Sequence, residues 1–176
     1  MLPIILVVGP SGSGKTTLIE QLIPELTGRG YKIGVIKHTH HAVEMDKKGK
    51  DSWRHRQAGA SAVALAAGNR MALTRDIPDD DPARIARHMD DMDLIITEGC
   101  KNKDYPKIEV FRKIICQVPM HLHDPYIKAI ATDIGSGPES GPKSGPKSGP
   151  EPNFPIPHYA LTDISGIADW MEKVFL

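Results

Sequence analysis

The sequence predicts an α/β fold, a single domain in which helices flank a mostly parallel sheet. Short apolar runs that suit buried strands alternate along the chain with segments of helical periodicity. A glycine-rich loop joins the first strand directly to the first helix, as the first turn of a βα unit does. With 176 residues, of which 40% are hydrophobic, the chain is long enough to build one core of ordinary size.

The chain begins with a predicted strand, helix and second strand. Residues 4–8 read IILVV, a wholly apolar and mostly β-branched run that is typical of a strand buried on both faces. Helical periodicity extends from Thr16 to about Arg29, and we expect Pro24 to kink this helix or to break its last turn. Residues 32–36 predict the second strand.

The middle of the chain predicts a short helix and a hairpin. After a polar stretch, Asp51 or Ser52 is expected to cap a helix that extends to about residue 57. Residues 62–66 and 71–74 predict two strands, because a Gly-Asn turn signal separates them.

A helix and three more strands complete the predicted sheet. Asp81 is expected to cap a helix over residues 82–89, with Pro82 at its first position. The remaining strands are predicted at residues 94–97, 108–111 and 127–131.

The C-terminal part divides into a linker and an end segment. The sequence SGPESGPKSGPKSGPE at 136–151 has no apolar side chain to bury, so residues 135–157 are predicted to be a disordered linker behind a core at 1–134. Residues 158–176 predict a strand and a helix that pack back on the core, and the helix is predicted to extend from a cap at Asp163 to Leu176. The helix should dock through one apolar face made of Ile164, Ile167, Trp170, Met171 and Val174.

Charge and cysteine content exclude several functional classes. Lys plus Arg equals Asp plus Glu, at 22 each, which gives no general attraction to nucleic acid or to an anionic membrane. The N-terminus has no basic segment before its apolar run, which argues against a signal peptide. Two cysteines do not make a disulfide framework, so we expect a cytoplasmic protein.

The loop at residues 9–16, GPSGSGKT, matches the phosphate-loop pattern G-x-x-x-x-G-K-[ST] in full. A buried strand before it and an amphipathic helix after it are the context of a P-loop NTPase. Lys15 is expected to reach the β- and γ-phosphates, and the Thr16 hydroxyl to ligate Mg²⁺. The residues predicted to bind the nucleotide here are Gly9, Ser11, Gly12, Ser13, Gly14, Lys15, Thr16 and Thr17.

Two carboxylates lie on the strand near residues 94–97. Asp93 and Glu98 stand at its opposite ends, about 16 Å apart at strand rise. Ligands of open α/β sheets bind at the carboxyl ends of the strands, so Glu98 is the candidate to hold Mg²⁺ through water or to orient the attacking water. The alternative is a surface glutamate before a turn.

The polar loop after the second strand leaves from the same edge of the sheet. The loop begins at Lys37 and includes His38, Lys50 and Asp51, so it is placed to respond to a γ-phosphate or to grip an anionic substrate. Asp51 could reach Mg²⁺ or could simply cap a helix. The histidines at 38, 40 and 41 could be metal ligands, or could be exposed polar side chains.

Asp133 is the candidate for reading the base. A carboxylate can accept from N1–H and the 2-amino group of guanine, and adenine has no N1–H. Residues 130–133 (IATD) end a late strand, where a base-reading loop would lie. The alternative is a turn carboxylate.

Five segments together resemble the MobB family, the molybdopterin-guanine dinucleotide biosynthesis protein B. They are GPSGSGKTTL, GVIKHTHH, DKKGKDSWRHRQAGA, DLIITEGCK and KIEVFR, and the resemblance covers about residues 4–133. The Ser-Gly-Pro repeat departs from the family as an insertion.

The resemblance implies a cytoplasmic, homodimeric protein that binds GTP and Mg²⁺ and hydrolyses GTP weakly. Such proteins assist the guanylyltransferase MobA in joining GMP to molybdopterin. Carried over to this chain, Lys15, Asp51 and Glu98 would be catalytic, and Thr16, Asp51 and Glu98 would hold the metal.

Three other readings of the same loop stay open. A small-molecule or nucleotide kinase could use it, although the candidate lid helix at 82–89, with Arg84 and Arg87, is short for a lid. A metal-insertion GTPase would bind Ni²⁺ or Zn²⁺ through His40 and His41. A pure binding module would bind GTP without hydrolysing it.

Overall fold

The computed structural model describes residues 2–39, 43, 45–134 and 155–176, which form two compact units. The sheet unit comprises residues 1–38 and 81–176, and the hairpin unit comprises residues 39–80. The Ser-Gly-Pro repeat, which is predicted to be disordered, lies outside the described residues.

The elements in chain order are β1 (Ile4–Val8), α1 (Lys15–Gly28), β2 (Ile33–Lys37), α2 (Asp51–Gln57), β3 (Ala62–Ala67), β4 (Arg70–Arg75), α3 (Pro82–Ala86), β5 (Leu94–Glu98), β6 (Lys107–Phe111), the short 3₁₀ turn Met120–Leu122, β7 (Ile127–Thr132), β8 (His158–Ala160) and α4 (Ile164–Phe175). The strand and helix predictions are confirmed with boundaries shifted by a few residues. None of the described helices is long and apolar enough to cross a membrane.

The sheet unit is built on a six-stranded sheet in the order β2-β5-β1-β6-β7-β8. Every neighbouring pair is parallel, which confirms the predicted sheet. Every residue of β1, β5 and β6 is buried, because these central strands are covered on both faces. The carboxyl ends of all six strands therefore meet at one edge.

Successive residues of β1 belong to two different apolar clusters, since side chains alternate between the faces of a strand. Ile5 and Val7 pack in a cluster with buried side chains of α1 and α4. Ile4, Leu6 and Val8 pack in the cluster on the other face, which includes Ala86 of α3.

Helix α1 buries its apolar face and continues through its proline. Its buried residues are Leu18, Ile19, Leu22 and Leu26. The predicted break at Pro24 is wrong, because the helix extends without interruption to Gly28. Arg29 then joins α1 to α4 through Asp169 at 2.6 Å and Glu172 at 2.9 Å.

Helix α4 begins at a side-chain cap, as predicted. The Asp163 carboxylate accepts from the Gly166 N–H at 3.0 Å. The predicted docking face is wrong at Val174, which is 50% exposed. Phe175 packs on the core cluster instead, and its ring lies nearly perpendicular to the Trp170 ring, with 5.8 Å between the ring centroids.

Helix α3 is shorter than predicted and ends at Ala86. Asp81 occupies the N-cap position with Pro82 after it, but its side chain makes no capping hydrogen bond. That carboxylate accepts instead from the Tyr105 hydroxyl at 3.0 and 3.1 Å.

The hairpin unit contains α2 and the antiparallel pair β3–β4. The strands pair from Ala62↔Arg75 to Ala67↔Arg70, as the Gly-Asn turn predicts. The predicted cap of α2 is wrong, because Lys50 occupies the N-cap position and Asp51 is already helical. An ion pair of 2.8 Å between Arg56 and Asp76 ties the helix to the end of the hairpin.

Candidate nucleotide-binding site

The phosphate loop leaves the carboxyl end of β1 and enters α1 at Lys15. Three of its glycines, Gly9, Gly12 and Gly14, have positive φ, and Gly14 is the N-cap of the helix. A Cβ on Gly9 would lie 2.5 Å from the carbonyl oxygen of Val110, so the loop approaches β6 as closely as only glycine permits. The backbone N–H groups at this helix start suit an anion.

Lys15 lies folded over the loop that contains it. Its ammonium donates to the carbonyl oxygens of Gly9 at 3.0 Å and Pro10 at 2.7 Å. Burial lowers the pKa of Lys15, the Glu98 carboxylate offsets part of this, and the charge of Lys37 adds to it. A cation that is partly desolvated above a loop of N–H donors suits a phosphate oxygen.

Ser13 is fully buried in the same loop. Its hydroxyl oxygen has no hydrogen-bond partner among the residues that the structure describes. A buried polar atom of this kind is costly unless a ligand or water satisfies it. This observation and the Lys15 geometry fit a bound phosphate chain.

Glu98 ends β5 directly beside the loop, because Val7 and Glu98 are register partners. Its carboxylate accepts from the Thr16 hydroxyl at 3.0 Å and pairs with the Lys37 ammonium. Burial acts to raise the pKa of Glu98, but the hydrogen bonds from Lys37 and Thr16 and the charges of Lys37 and Lys15 outweigh it. The net pKa is lowered.

Lys37 begins the polar loop that is predicted at this edge of the sheet, but its pairing with Glu98 is a feature that sequence reasoning missed. Lys37 is the last residue of β2 and the register partner of Glu98 on β5. The signal that could have found it is the order of the strands. Once β2 and β5 are neighbours, their carboxyl-terminal side chains must meet.

Asp93 stands at the opposite end of β5, as predicted. Its carboxylate accepts from the backbone N–H of Lys32 at 2.7 Å, so it fixes the entry into the strand pair. His38 lies on the site edge, where its backbone N–H donates to the Glu98 carbonyl at 3.0 Å.

Asp133 follows β7 at the same edge of the sheet. Its side chain is 42% exposed and lies 3.8 Å from the Nε of Arg112, the residue that follows β6. Arg112 is a residue that sequence reasoning missed. Phe111 and Thr132 are register partners, so the residues after them, Arg112 and Asp133, emerge side by side.

Lys50 and Asp51 belong to the hairpin unit. They line a cleft of about 440 Å³ together with apolar side chains that include Val63 and Leu65. Asp51 lies 3.7 Å from Arg54 and is 88% exposed. Their predicted roles at the metal and the nucleotide stay predictions.

The residues fit Mg²⁺ better than a softer metal. Octahedral Mg²⁺ with bonds of 2.0–2.1 Å has neighbouring ligands about 2.9 Å apart. The Thr16 and Glu98 oxygens are 3.0 Å apart, and both are hard donors. In the part of the chain that the structure describes, no group of three or more His, Cys, Asp or Glu side chains is arranged for a metal. His40 and His41 lie outside it.

A glycine loop between a buried parallel strand and a helix, with lysine, threonine and an acid at the carboxyl edge, defines a P-loop NTPase fold. Residues 4–133 match the family model of MobB, the molybdopterin guanine dinucleotide synthesis protein B. The chain belongs to this family.

Two relatives carry the name molybdopterin-guanine dinucleotide biosynthesis adapter protein. The one from Haemophilus influenzae is 42% identical over 137 residues, which are 75% of each chain. The one from Escherichia coli is 36% identical over 183 aligned positions, covering 98% of this chain and 95% of the relative.

Two solved structures share the fold. A crystal structure of molybdopterin-guanine biosynthesis protein B superposes with a TM-score of 0.70 at 26% identity and covers 98% of both chains. The structure of Bacillus subtilis MobB has a TM-score of 0.69 at 24% identity, with 99% of both chains covered.

Proposed function

We propose that this protein is an adapter in molybdopterin-guanine dinucleotide biosynthesis that binds GTP with Mg²⁺ and hydrolyses it slowly. The family supports the pathway, since its relatives are named for that adapter role. The nucleotide assignment is supported by the site. The observation that carries it is the convergence of Lys15, Thr16 and Glu98 at the end of the phosphate loop.

Each of these side chains has a defined task in the proposal. Lys15 exchanges its two loop carbonyls for phosphate oxygens, which bind an ammonium more strongly because they are charged. Thr16 and Glu98 hold Mg²⁺, directly or through water. The ion, when bound, offsets the negative charge of the phosphates. Lys37 keeps the Glu98 carboxylate ionised and in place.

Slow turnover follows from the state of Glu98. A general base works best when its pKa is near the working pH. Lys37 and Thr16 hold the pKa of Glu98 below its ordinary range, so its carboxylate is a weak base. It can orient water by accepting a hydrogen bond, but it removes a proton poorly.

The proposal includes the remaining predicted roles. Asp133 reads guanine, His38 and Lys50 line the site, and Asp51 lies near the metal. A core at 1–134 is joined through a linker at 135–157 to a C-terminal segment at 158–176. The protein acts in the cytoplasm as a homodimer, and its partners are the guanylyltransferase MobA and molybdopterin. Nucleic acid and membrane have no part in it.

Single-turnover hydrolysis of GTP with Mg²⁺ tests the proposed roles. Lys15→Ala should abolish binding. Glu98→Ala should keep binding and lose turnover by about a hundredfold, because the attacking water loses the carboxylate that orients it. Glu20→Ala removes an exposed carboxylate on α1 and should match the wild-type protein. Unchanged turnover in Glu98→Ala would remove its assigned role, and turnover in Lys15→Ala would refute the site.

A further inference from the structure

Arg112 lies between the phosphate loop and the residue that follows β7. One of its terminal nitrogens, Nη2, lies 4.0 Å from the position that a Cβ on Gly14 would occupy, which puts the guanidinium beside the N-cap of α1. The Nε of the same group lies 3.8 Å from the Asp133 carboxylate. One planar group therefore spans the gap between the phosphate loop and the candidate base-reading residue.

The guanidinium has donors to spare. Arginine offers five N–H donors in a fixed fork. The contact of 3.8 Å to Asp133 is an ion pair but too long for a hydrogen bond. The buried Nε has no hydrogen-bond partner anywhere in residues 2–39, 43, 45–134 and 155–176. A buried charged donor in this condition needs an acceptor, which a closer approach of the Asp133 carboxylate would supply at Nε, while Nη2 faces the phosphate loop.

The electrostatics at this place favour an anion at the phosphate loop. The start of α1 carries the partial positive charge of the helix dipole, which repels a cation beside it. Arg112 adds a full positive charge at the same helix start, and Asp133 offsets only part of it because both side chains are about 40% exposed. A phosphate group at the loop is attracted both by the positive end of the helix dipole and by the charge of Arg112.

We propose that Arg112 is the positioning residue that couples the nucleotide's phosphate chain to base selection. Its fork donates to phosphate oxygens on one side and to the Asp133 carboxylate on the other, so Asp133 is held where it can accept from guanine. This inference rests on the proposed function, since it needs a nucleotide in the phosphate loop.

The sheet order decides which phosphates Arg112 contacts. β5, which carries Glu98, pairs with one side of β1, and β6, which leads to Arg112, pairs with the other. The metal-binding side and the Arg112 side therefore flank the loop from opposite directions. Arg112 contacts the α- and β-phosphates toward the base, and it leaves the γ-phosphate to Lys15 and the metal-binding side.

Calorimetric titration of the full chain with GTP, GDP and ATP in Mg²⁺ tests the coupling. Arg112→Gln should weaken GTP and GDP equally, by about tenfold to a hundredfold, and should reduce the preference for GTP over ATP. Arg112→Lys should recover much of the affinity, because its charge remains. It should still lack the preference, because a single ammonium nitrogen does not have the planar fork whose separate nitrogens face the phosphates and Asp133. Lys113→Gln, an equal charge change at an exposed neighbour, should match the wild-type protein.

Three results would overturn the inference. They are unchanged affinity in Arg112→Gln, a loss confined to GTP, and weaker binding with an unaltered preference for GTP. If Arg112→Gln does not fold, as judged by its thermal melting, the preference of Arg112→Lys for GTP over ATP alone tests the inference. A wild-type protein that binds no nucleotide would instead count against the proposed function.

Discussion

The two compact units are stabilised in different ways. In the sheet unit, β1, β5 and β6 are buried along their whole length. In the hairpin unit, β3 and β4 expose nearly every residue, and α2 buries none. Apolar burial stabilises the first, whereas ladder hydrogen bonds and a local ion pair hold the second. A lone two-stranded hairpin is marginal in water, so the same substitution should cost far more in the sheet unit.

The largest difference between the two units should appear when a leucine is replaced by alanine. Leu22 is fully buried on α1, whereas Leu65 on β3 is 61% exposed. Leu22→Ala should lower the free energy of unfolding by about 3 kcal/mol, since it leaves a cavity. Leu65→Ala should change it by less than about 0.5 kcal/mol.

Urea denaturation measures both leucine variants. The two tryptophans fall one in each unit, Trp53 in α2 and Trp170 in α4. In a Trp53→Phe background the fluorescence therefore reports on the sheet unit and measures Leu22→Ala. In a Trp170→Phe background it reports on the hairpin unit and measures Leu65→Ala. Equal effects of the two leucine substitutions would contradict the contrast between the units.

Two ion pairs of similar length make the next comparison. Lys107 and Asp124 in the sheet unit are 2.6 Å apart, with side chains only 2% and 18% exposed. Lys107→Met keeps the apolar stem and leaves the carboxylate of Asp124 without its partner, so we expect a loss of about 2–3 kcal/mol.

The matched ion pair in the hairpin unit should contribute much less to the free energy of unfolding. Arg56 and Asp76 are 2.8 Å apart, with side chains 30% and 79% exposed. Arg56→Met should cost less than about 1 kcal/mol. Thermal unfolding of both variants measures the difference, and a larger loss for Arg56→Met would reverse the comparison.

The smallest predicted effect is the loss, at acid pH, of the stability that Glu98 contributes. Its pKa is lowered in the folded state, so the stability it contributes is present above the ordinary glutamate pKa of about 4.3 and is lost as the pH falls through the lower folded value. The stability difference between wild-type and Glu98→Gln should therefore shrink across that acid window. A stability difference that stays constant with pH would contradict the stabilising contacts of Glu98 with Thr16 and Lys37.

Sequence patterns predicted what depends on neighbours along the chain. The phosphate loop, the capped α4 and the Gly-Asn hairpin are local, because a few adjacent residues specify each. The Glu98 assignment came from the rule that ligands bind at the carboxyl ends of strands. The structure places Glu98 beside Thr16.

What could not be predicted depends on neighbours across the sheet. Lys37 and Arg112 join the site only because β2 lies beside β5 and β6 lies beside β1, and no local pattern sets that order. Val174 shares the helical stripe of α4 but is exposed, because Phe175 packs on the core in the last turn. The N-cap of α2 is Lys50, one residue before Asp51, and its side chain makes no capping hydrogen bond that a local pattern could have predicted.

The central claim is that the phosphate loop binds GTP in preference to ATP. Calorimetric titration with each nucleotide in Mg²⁺ tests it most directly, with Lys15→Ala and Asp133→Ala beside the wild-type protein. The account predicts a clear preference for GTP, no binding in Lys15→Ala, and a weakened preference in Asp133→Ala. Equal or tighter binding of ATP would contradict it and would favour a kinase that uses the same loop.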